Sequence, residues 1–89
     1  VIRAVLLLLT GLLGYLPFAG WAESPIRIAS KNFGESYLLS EIAAQLLEAR
    51  GFDVERRFGL GGTLICYGAL ENDEIDLYIE YTGTIAQAV

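Results

Sequence analysis

Three short stretches of this chain carry residue types that hold small ligands through their backbone: Ser30 to Gly34, Gly59 to Thr63 and Tyr81 to Thr84. Each is rich in Gly, Ser, Thr or Asn, so each can open a helix and leave backbone N–H groups free, with the positive end of a helix dipole behind them. Gathered at one edge of a fold, they would form an anion-binding face. The same residues would serve equally well as plain connections, since most such turns bind nothing. Other chemistry is excluded by composition. With no His and one Cys, the chain cannot build a zinc finger, a redox CxxC pair, a disulfide framework or a catalytic centre of the Ser-His-Asp or Cys-His kind. Nothing in it calls for an enzyme, a cofactor or a metal. Six Lys+Arg against eleven Asp+Glu give a net charge of -5, which leaves no basic surface for nucleic acid. Gly59 to Thr63 also lacks the spacing and the lysine of a P-loop, so a nucleotide site is not expected.

These stretches need elements on either side to hold them, and the pattern supplies them. Ile26 to Ser30 is expected as a strand, followed by a helix opened by Asn32 and Glu35 spaced as a capping box, with Gly34 as the alternative cap. Leu38, Leu39, Ile42, Ala43, Leu46 and Leu47 then line one broad apolar face, and Gly51 behind Arg50 stops the helix. Phe52 to Phe58 is a second strand, charged enough to lie at a sheet edge. Leu64 to Leu70 forms a short helix ending near Asn72, Ile75 to Tyr81 a third strand, and Thr82-Gly83-Thr84 opens a third helix. Strand and helix alternating three times predicts an α/β fold of βαβ units on a parallel sheet. In such sheets ligands bind beyond the carboxyl ends of the strands, where all three stretches fall.

The 54% hydrophobic content is concentrated at the front. From Ala4 to Ala22 there is no charge, Arg3 precedes the run, and Gly20 and Ala22 give a small-x-small exit. This pattern predicts a signal peptide over residues 1–22, cleaved after Ala22. A membrane-spanning helix needs about 20 apolar residues; the run reaches that length, but Gly11, Gly14, Pro17 and Gly20 weaken its second half. Removing 22 of the 89 residues leaves 67, Glu23 to Val89, with five bases, eleven acids and a net charge of -6. In that segment Cys66 fits a small buried hydrophobe.

Ser30-Lys31-Asn32-Phe33-Gly34-Glu35, Gly59-Leu60-Gly61-Gly62-Thr63, Asn72 to Tyr78 and Glu80-Tyr81-Thr82-Gly83-Thr84 together resemble, in order and spacing, the substrate-binding component of ABC importers for glycine betaine, choline and related osmoprotectants. The resemblance runs over residues 25–89. It implies a two-lobed periplasmic-binding-protein fold of the type II-like kind, of which this chain would be the N-terminal part of lobe one. The size agrees, because 67 residues without disulfide or metal are marginal for an independent core. One departure is Gly34, where many members carry Thr; glycine at a cap costs only about a few tenths of a kcal/mol.

A ligand of that family carries a quaternary ammonium, which donates no hydrogen bonds and is held by aromatic faces. Of the tyrosines at 37, 67, 78 and 81, only Tyr81 falls at the carboxyl end of a strand, and the resemblance makes it a cage wall. The others are expected in core or surface roles. A betaine carboxylate would then meet Lys31, the only lysine of the chain, together with the Thr84 hydroxyl and helix N-terminal amides. Asn32, Gly62 and Thr63 complete the expected ligand-binding set. The implied partners are a quaternary-ammonium solute and an ABC permease in the inner membrane, and the implied location is the periplasm. In the alternative arrangement the same module is fused behind a permease, with residues 4–22 as a membrane span.

Overall fold

The computed structural model describes residues 24–88, so the expected signal peptide and its cleavage point lie outside the described residues. The elements follow in the order β1 (Ile26–Lys31), α1 (Gly34–Ala49), β2 (Val54–Gly61), α2 (Thr63–Glu71), β3 (Leu77–Tyr78) and α3 (Thr82–Ala88). The three strands form one parallel sheet in the order β2-β1-β3. The alternating α/β architecture is the one expected. Because the chain steps from β1 to one neighbour and then crosses to the other, right-handed connections place α1 and α2 on opposite faces. Between the ends of β1 and β3 lies the switch point at which sheets of this kind open a crevice. Among the described residues no helix is long and apolar enough to cross a membrane.

The central strand is closed on both sides. Ile28, Ala29, Ser30 and Lys31 are buried in succession, as a parallel strand covered on two faces requires. Ala29 packs with Ala69, Ile75 and the half-buried Tyr78, and Cys66 is buried as expected, its Sγ 3.7 Å from the carbonyls of Ser30 and Gly61. Among the described residues only Ile28 and Ile75 are large, fully buried aliphatics. Truncating either to Ala would cost about 2–5 kcal/mol.

Several local expectations are corrected. The capping box of Asn32 and Glu35 is not made: Phe33 holds the N-cap position of α1 in an extended conformation, with no side-chain cap. Ser36 Oγ accepts the Lys31 N–H at 2.8 Å, fixing the exit from β1, while the Glu35 carboxylate is taken by the Tyr81 hydroxyl. The inner face of α1 is also not the leucine face. Ser36, Ser40 and Ala44 point to the sheet, with Leu39, Ala43 and Leu47 half-buried, and Leu38, Ile42 and Leu46 stand exposed. Small side chains let the helix approach β1 closely enough for the Ser40 hydroxyl to reach the Ala29 carbonyl at 3.4 Å. The stop at Gly51 is as expected. Gly51 has φ 94°, its N–H donates to the Glu48 carbonyl and that of Phe52 to the Leu47 carbonyl, the paired bonds of a Schellman motif.

β2 is the edge strand its charges suggest, and Arg56 binds Glu41 and Glu48 of α1 at 2.8–3.0 Å. It runs past the expected end at Phe58, through the glycines to Gly61. The register jumps from Ala29↔Arg57 to Lys31↔Gly61, so β2 carries extra residues there. Gly59 absorbs that bulge with φ 74°, and its N–H donates to Ser30 Oγ at 2.7 Å. β3 is shorter than expected, two residues instead of Ile75 to Tyr81. Before it, Asp76 is tied to β1 by backbone and side chain together: its N–H donates to the Arg27 carbonyl at 2.8 Å, and its carboxylate takes the Arg27 N–H at 2.7 Å and the Arg27 guanidinium at 3.0 Å. After it, Glu80 turns inward towards Lys31.

Candidate functional site

Each of the three helices begins at the carboxyl edge of the sheet, and each beginning is marked by a residue whose carbonyl holds the first turn. Phe33 accepts from the N–H groups of Ser36 and Tyr37 at 3.0 and 3.2 Å, Gly62 from Cys66 at 3.0 Å, and Tyr81 from Thr84 and Ile85 at 3.0 Å each. The expected convergence of three helix-opening stretches on one edge is therefore observed. Two of the three starts are aromatic, so their rings are oriented by backbone that the helices hold.

Those rings form a platform. Phe33 and Tyr81 stack with centroids 6.4 Å apart and planes at 25°, within the range of offset aromatic pairs. Both remain open to solvent, 40% and 38% exposed. Lys31 Nζ lies 5.5 Å from the Phe33 centroid and 5.8 Å from that of Tyr81, at cation–π distance from both. The Tyr81 hydroxyl donates to Glu35 in the first turn of α1, so the ring is tied at both ends. That bond, with burial and the Glu35 and Glu80 charges, raises the Tyr81 phenol above its ordinary value.

Beneath the platform is a closed polar network. Lys31 is only 6% exposed, and its Nζ donates to Glu80 Oε1 at 2.6 Å and to Thr63 Oγ1 at 3.0 Å. Thr63 Oγ1 in turn donates to Glu80 Oε2 at 2.9 Å. The Tyr81 N–H reaches Glu80 Oε1 at 3.0 Å, and the Tyr78 hydroxyl reaches Oε2 at 3.3 Å. Burial works to raise the Glu80 carboxyl, but the bonds from Lys31, Tyr81 and Thr63 outweigh it and hold it below the usual carboxylate range. Burial, with the adjacent Glu80 charge, pushes the Tyr78 phenol up to about 12.

Of the residues expected to bind ligand, Lys31, Thr63 and Tyr81 come together, drawn from β1, α2 and the start of α3. Thr84 lies half-buried in the first turn of α3, Gly62 opens α2, and Asn32 is exposed beside Phe33. Three further residues belong to the same constellation: Phe33, Glu35 and Glu80. Glu80 had a signal in the sequence. The only lysine of the chain ends a buried strand, and a buried ammonium demands an acid from the neighbouring strand end. Phe33 had none, since a helix-opening position favours Asn, Asp, Ser or Thr over an aromatic. A surface concavity lined by Ser24, Pro25, Ile26, Arg27, Glu55 and Asp76 lies at the opposite, amino edge and takes no part in this arrangement.

Residues 24–89 match the family model for the substrate-binding domain of ABC-type glycine betaine transport systems. A glycine-betaine-binding protein of Pseudomonas aeruginosa is 40% identical over 84 residues, covering 93% of this chain and 25% of the relative. The ergothioneine transport permease/ergothioneine binding protein EgtU of Helicobacter pylori is 42% identical over 79 residues, 88% of this chain and 14% of the relative. The glycine betaine-binding protein YehZ of Escherichia coli is 40% identical over 62 residues, 70% of this chain and 20% of the relative. The chain thus spans a quarter or less of the length of these relatives.

Proposed function

The chain belongs to the family of substrate-binding domains of ABC-type glycine betaine transport systems, and on that premise we propose that it forms part of the solute-binding component of such an importer, capturing a quaternary-ammonium solute for delivery to the permease. The observation that carries this reading is the stacked Phe33–Tyr81 platform, open to solvent above a neutralised lysine at the switch point of the sheet. A trimethylammonium group offers no hydrogen-bond donor and spreads its charge over methyl groups, so electron-rich ring faces suit it. Glycine betaine and ergothioneine, for which the relatives are named, are both trimethylammonium carboxylates. A betaine-class ligand fits that shared chemistry, with Tyr81 as a cage wall, Thr84, Thr63, Asn32 and Gly62 on the polar side, and Lys31 beneath them with its charge shared with Glu80. The remaining walls and the second lobe lie in sequence beyond this chain. Such a component binds and releases solute without chemical turnover, and the family is not an enzyme class.

Calorimetry on the full-length protein tests the reading. Tyr81→Ala should weaken glycine betaine and choline by about tenfold or more, the loss of one desolvated cation–π wall. Unchanged affinity for both would remove Tyr81 from the site.

We place the protein in the periplasm after cleavage of residues 1–22. A mature N-terminus at Glu23 in the membrane-free periplasmic fraction is the expected result, and full retention in membranes would overturn it. Retention would favour a second arrangement, fusion to the permease. The name of the Helicobacter relative, permease and binding protein in one, supports that alternative.

A further inference from the structure

Lys31 is the natural partner for a ligand carboxylate, yet its charge is already answered. Its side chain is 7% exposed, that of Glu80 10%, and the two are joined at 2.6 Å. Thr63 closes the triangle by accepting from Lys31 and donating to Glu80. Of the other cations among the described residues, Arg50 stands exposed at the far end of α1 and three arginines are paired elsewhere. Arg27 is held by Asp73 and Asp76 near the amino end of β1, Arg56 by Glu41 and Glu48, and Arg57 by Glu55. Around the rings the charges are therefore one positive, Lys31, and two negative, Glu80 and Glu35. The platform sits in a field that is net negative by one.

We infer that Glu80 is a specificity-determining residue: by neutralising Lys31 it gives this half of the site a preference for the cationic pole of its ligand and limits how strongly a ligand carboxylate is attracted. The inference rests on the quaternary-ammonium reading above. Its physical basis is simple. A ligand carboxylate approaching Lys31 also approaches Glu80, and at these short separations the two fields nearly cancel. A ligand ammonium on the rings feels the remaining negative charge of Glu35, through Tyr81, with little opposition. Glu80 also positions what it neutralises, because it accepts the Tyr81 N–H and so couples the aromatic wall to the ion pair.

Glycine betaine and choline isolate this effect, since both carry trimethylammonium and only the first carries a carboxylate. The measured quantity is the ratio of their dissociation constants in the full-length protein. Glu80→Gln keeps the shape and most hydrogen bonds but frees the charge of Lys31. It should shift the ratio about tenfold towards glycine betaine. Glu80→Asp keeps the charge, so the ratio should stay at its wild-type value even where both affinities fall. The double variant Lys31→Met/Glu80→Gln removes a pair that sums to zero and leaves no buried charge unpaired; its ratio should stay within about threefold of wild type. A merely structural Glu80 would weaken both ligands equally in Glu80→Gln, and an unmoved ratio overturns the inference. So does a double variant that loses glycine betaine tenfold against choline, a result that stands even where the single variant does not fold. Failure of the wild type to bind either ligand would instead overturn the reading beneath it, and the inference with it.

Discussion

In the proposed site the burden falls on two aromatic residues whose backbones open helices. Phe33 differs from Tyr81 in having no hydroxyl to anchor it, so its contribution to a cation is its ring face alone. Phe33→Leu keeps apolar bulk and removes that face. The full-length variant should lose about three- to tenfold in choline affinity, in keeping with a partly exposed cation–π contact. Its affinity for 3,3-dimethylbutan-1-ol, the uncharged carbon isostere of choline, should not change. Equal losses for both would show that Phe33 acts by packing. The reverse problem attaches to Lys31→Ala, which strands the buried Glu80 carboxylate and costs about 3–5 kcal/mol in fold stability; the double variant described above avoids it. At this scale the ligand-edge location of Lys31, Thr63 and Tyr81 was legible from strand ends and family resemblance. The neutralisation of Lys31 was legible only as a demand for some acid at a neighbouring strand end; residue type does not say which acid answers it, and the partner lies 49 positions away.

Between residues and fold stand the junctions, and glycines in them are not equivalent. Gly59 lies at φ 74°, and a Cβ there would collide with the Tyr37 hydroxyl. Gly34 opens α1 with nothing within 4 Å of a Cβ. Opposite outcomes are expected from the same substitution. Gly59→Ala should destabilise by about 1–3 kcal/mol, through a strained backbone and a displaced Tyr37. Gly34→Ala should stabilise by about 0.5–1 kcal/mol, by reducing the freedom of the unfolded chain. Denaturant titration of both variants checks the pair, and a Gly59→Ala protein within about 0.5 kcal/mol of wild type would remove strain as the reason for that glycine. Element order and the Schellman stop were readable because they depend on local pattern. The face of α1 was not. Its leucines satisfied the helical period, but Ser36, Ser40 and Ala44 give the closer approach to β1 and so won the core. The length of β2 escaped for a related reason, since Gly59 to Gly61 signals a turn in isolation and becomes strand once Ser30 and Lys31 pair with it.

Carboxylates hold the whole sheet assembly together at three separate places, and their titration should be visible in global stability. Bonds from Arg56 and Gln45 hold Glu41 down at about 2, and Arg56 also lowers Glu48; this cluster ties α1 to β2. Bonds from the Arg27 side chain and backbone hold Asp76 at about 2, tying the approach to β3 onto β1. Glu80, lowered against its burial by Lys31 and its other donors, joins the carboxyl ends of β1 and β3. For each, the folded pKa lies below the ordinary value near 4. Between the two values the unfolded chain binds more protons than the folded one, so stability rises with pH across that interval. It is fully present above about pH 5 and is lost as pH falls towards 2. Tyr78 acts at the other end with the opposite sign. Its folded pKa, raised to about 12 chiefly by burial, lies above the ordinary 10, so stability falls as pH climbs between them. Thermal unfolding of the full-length protein should thus show a plateau across neutral pH with a decline on each side. The decisive comparison is Asp76→Asn, which removes one depressed carboxylate without adding charge. Its melting temperature should be lower than wild type at pH 7 and converge on it near pH 2. Parallel curves down to pH 2 would mean that the Arg27–Asp76 clamp makes no titratable contribution to the fold.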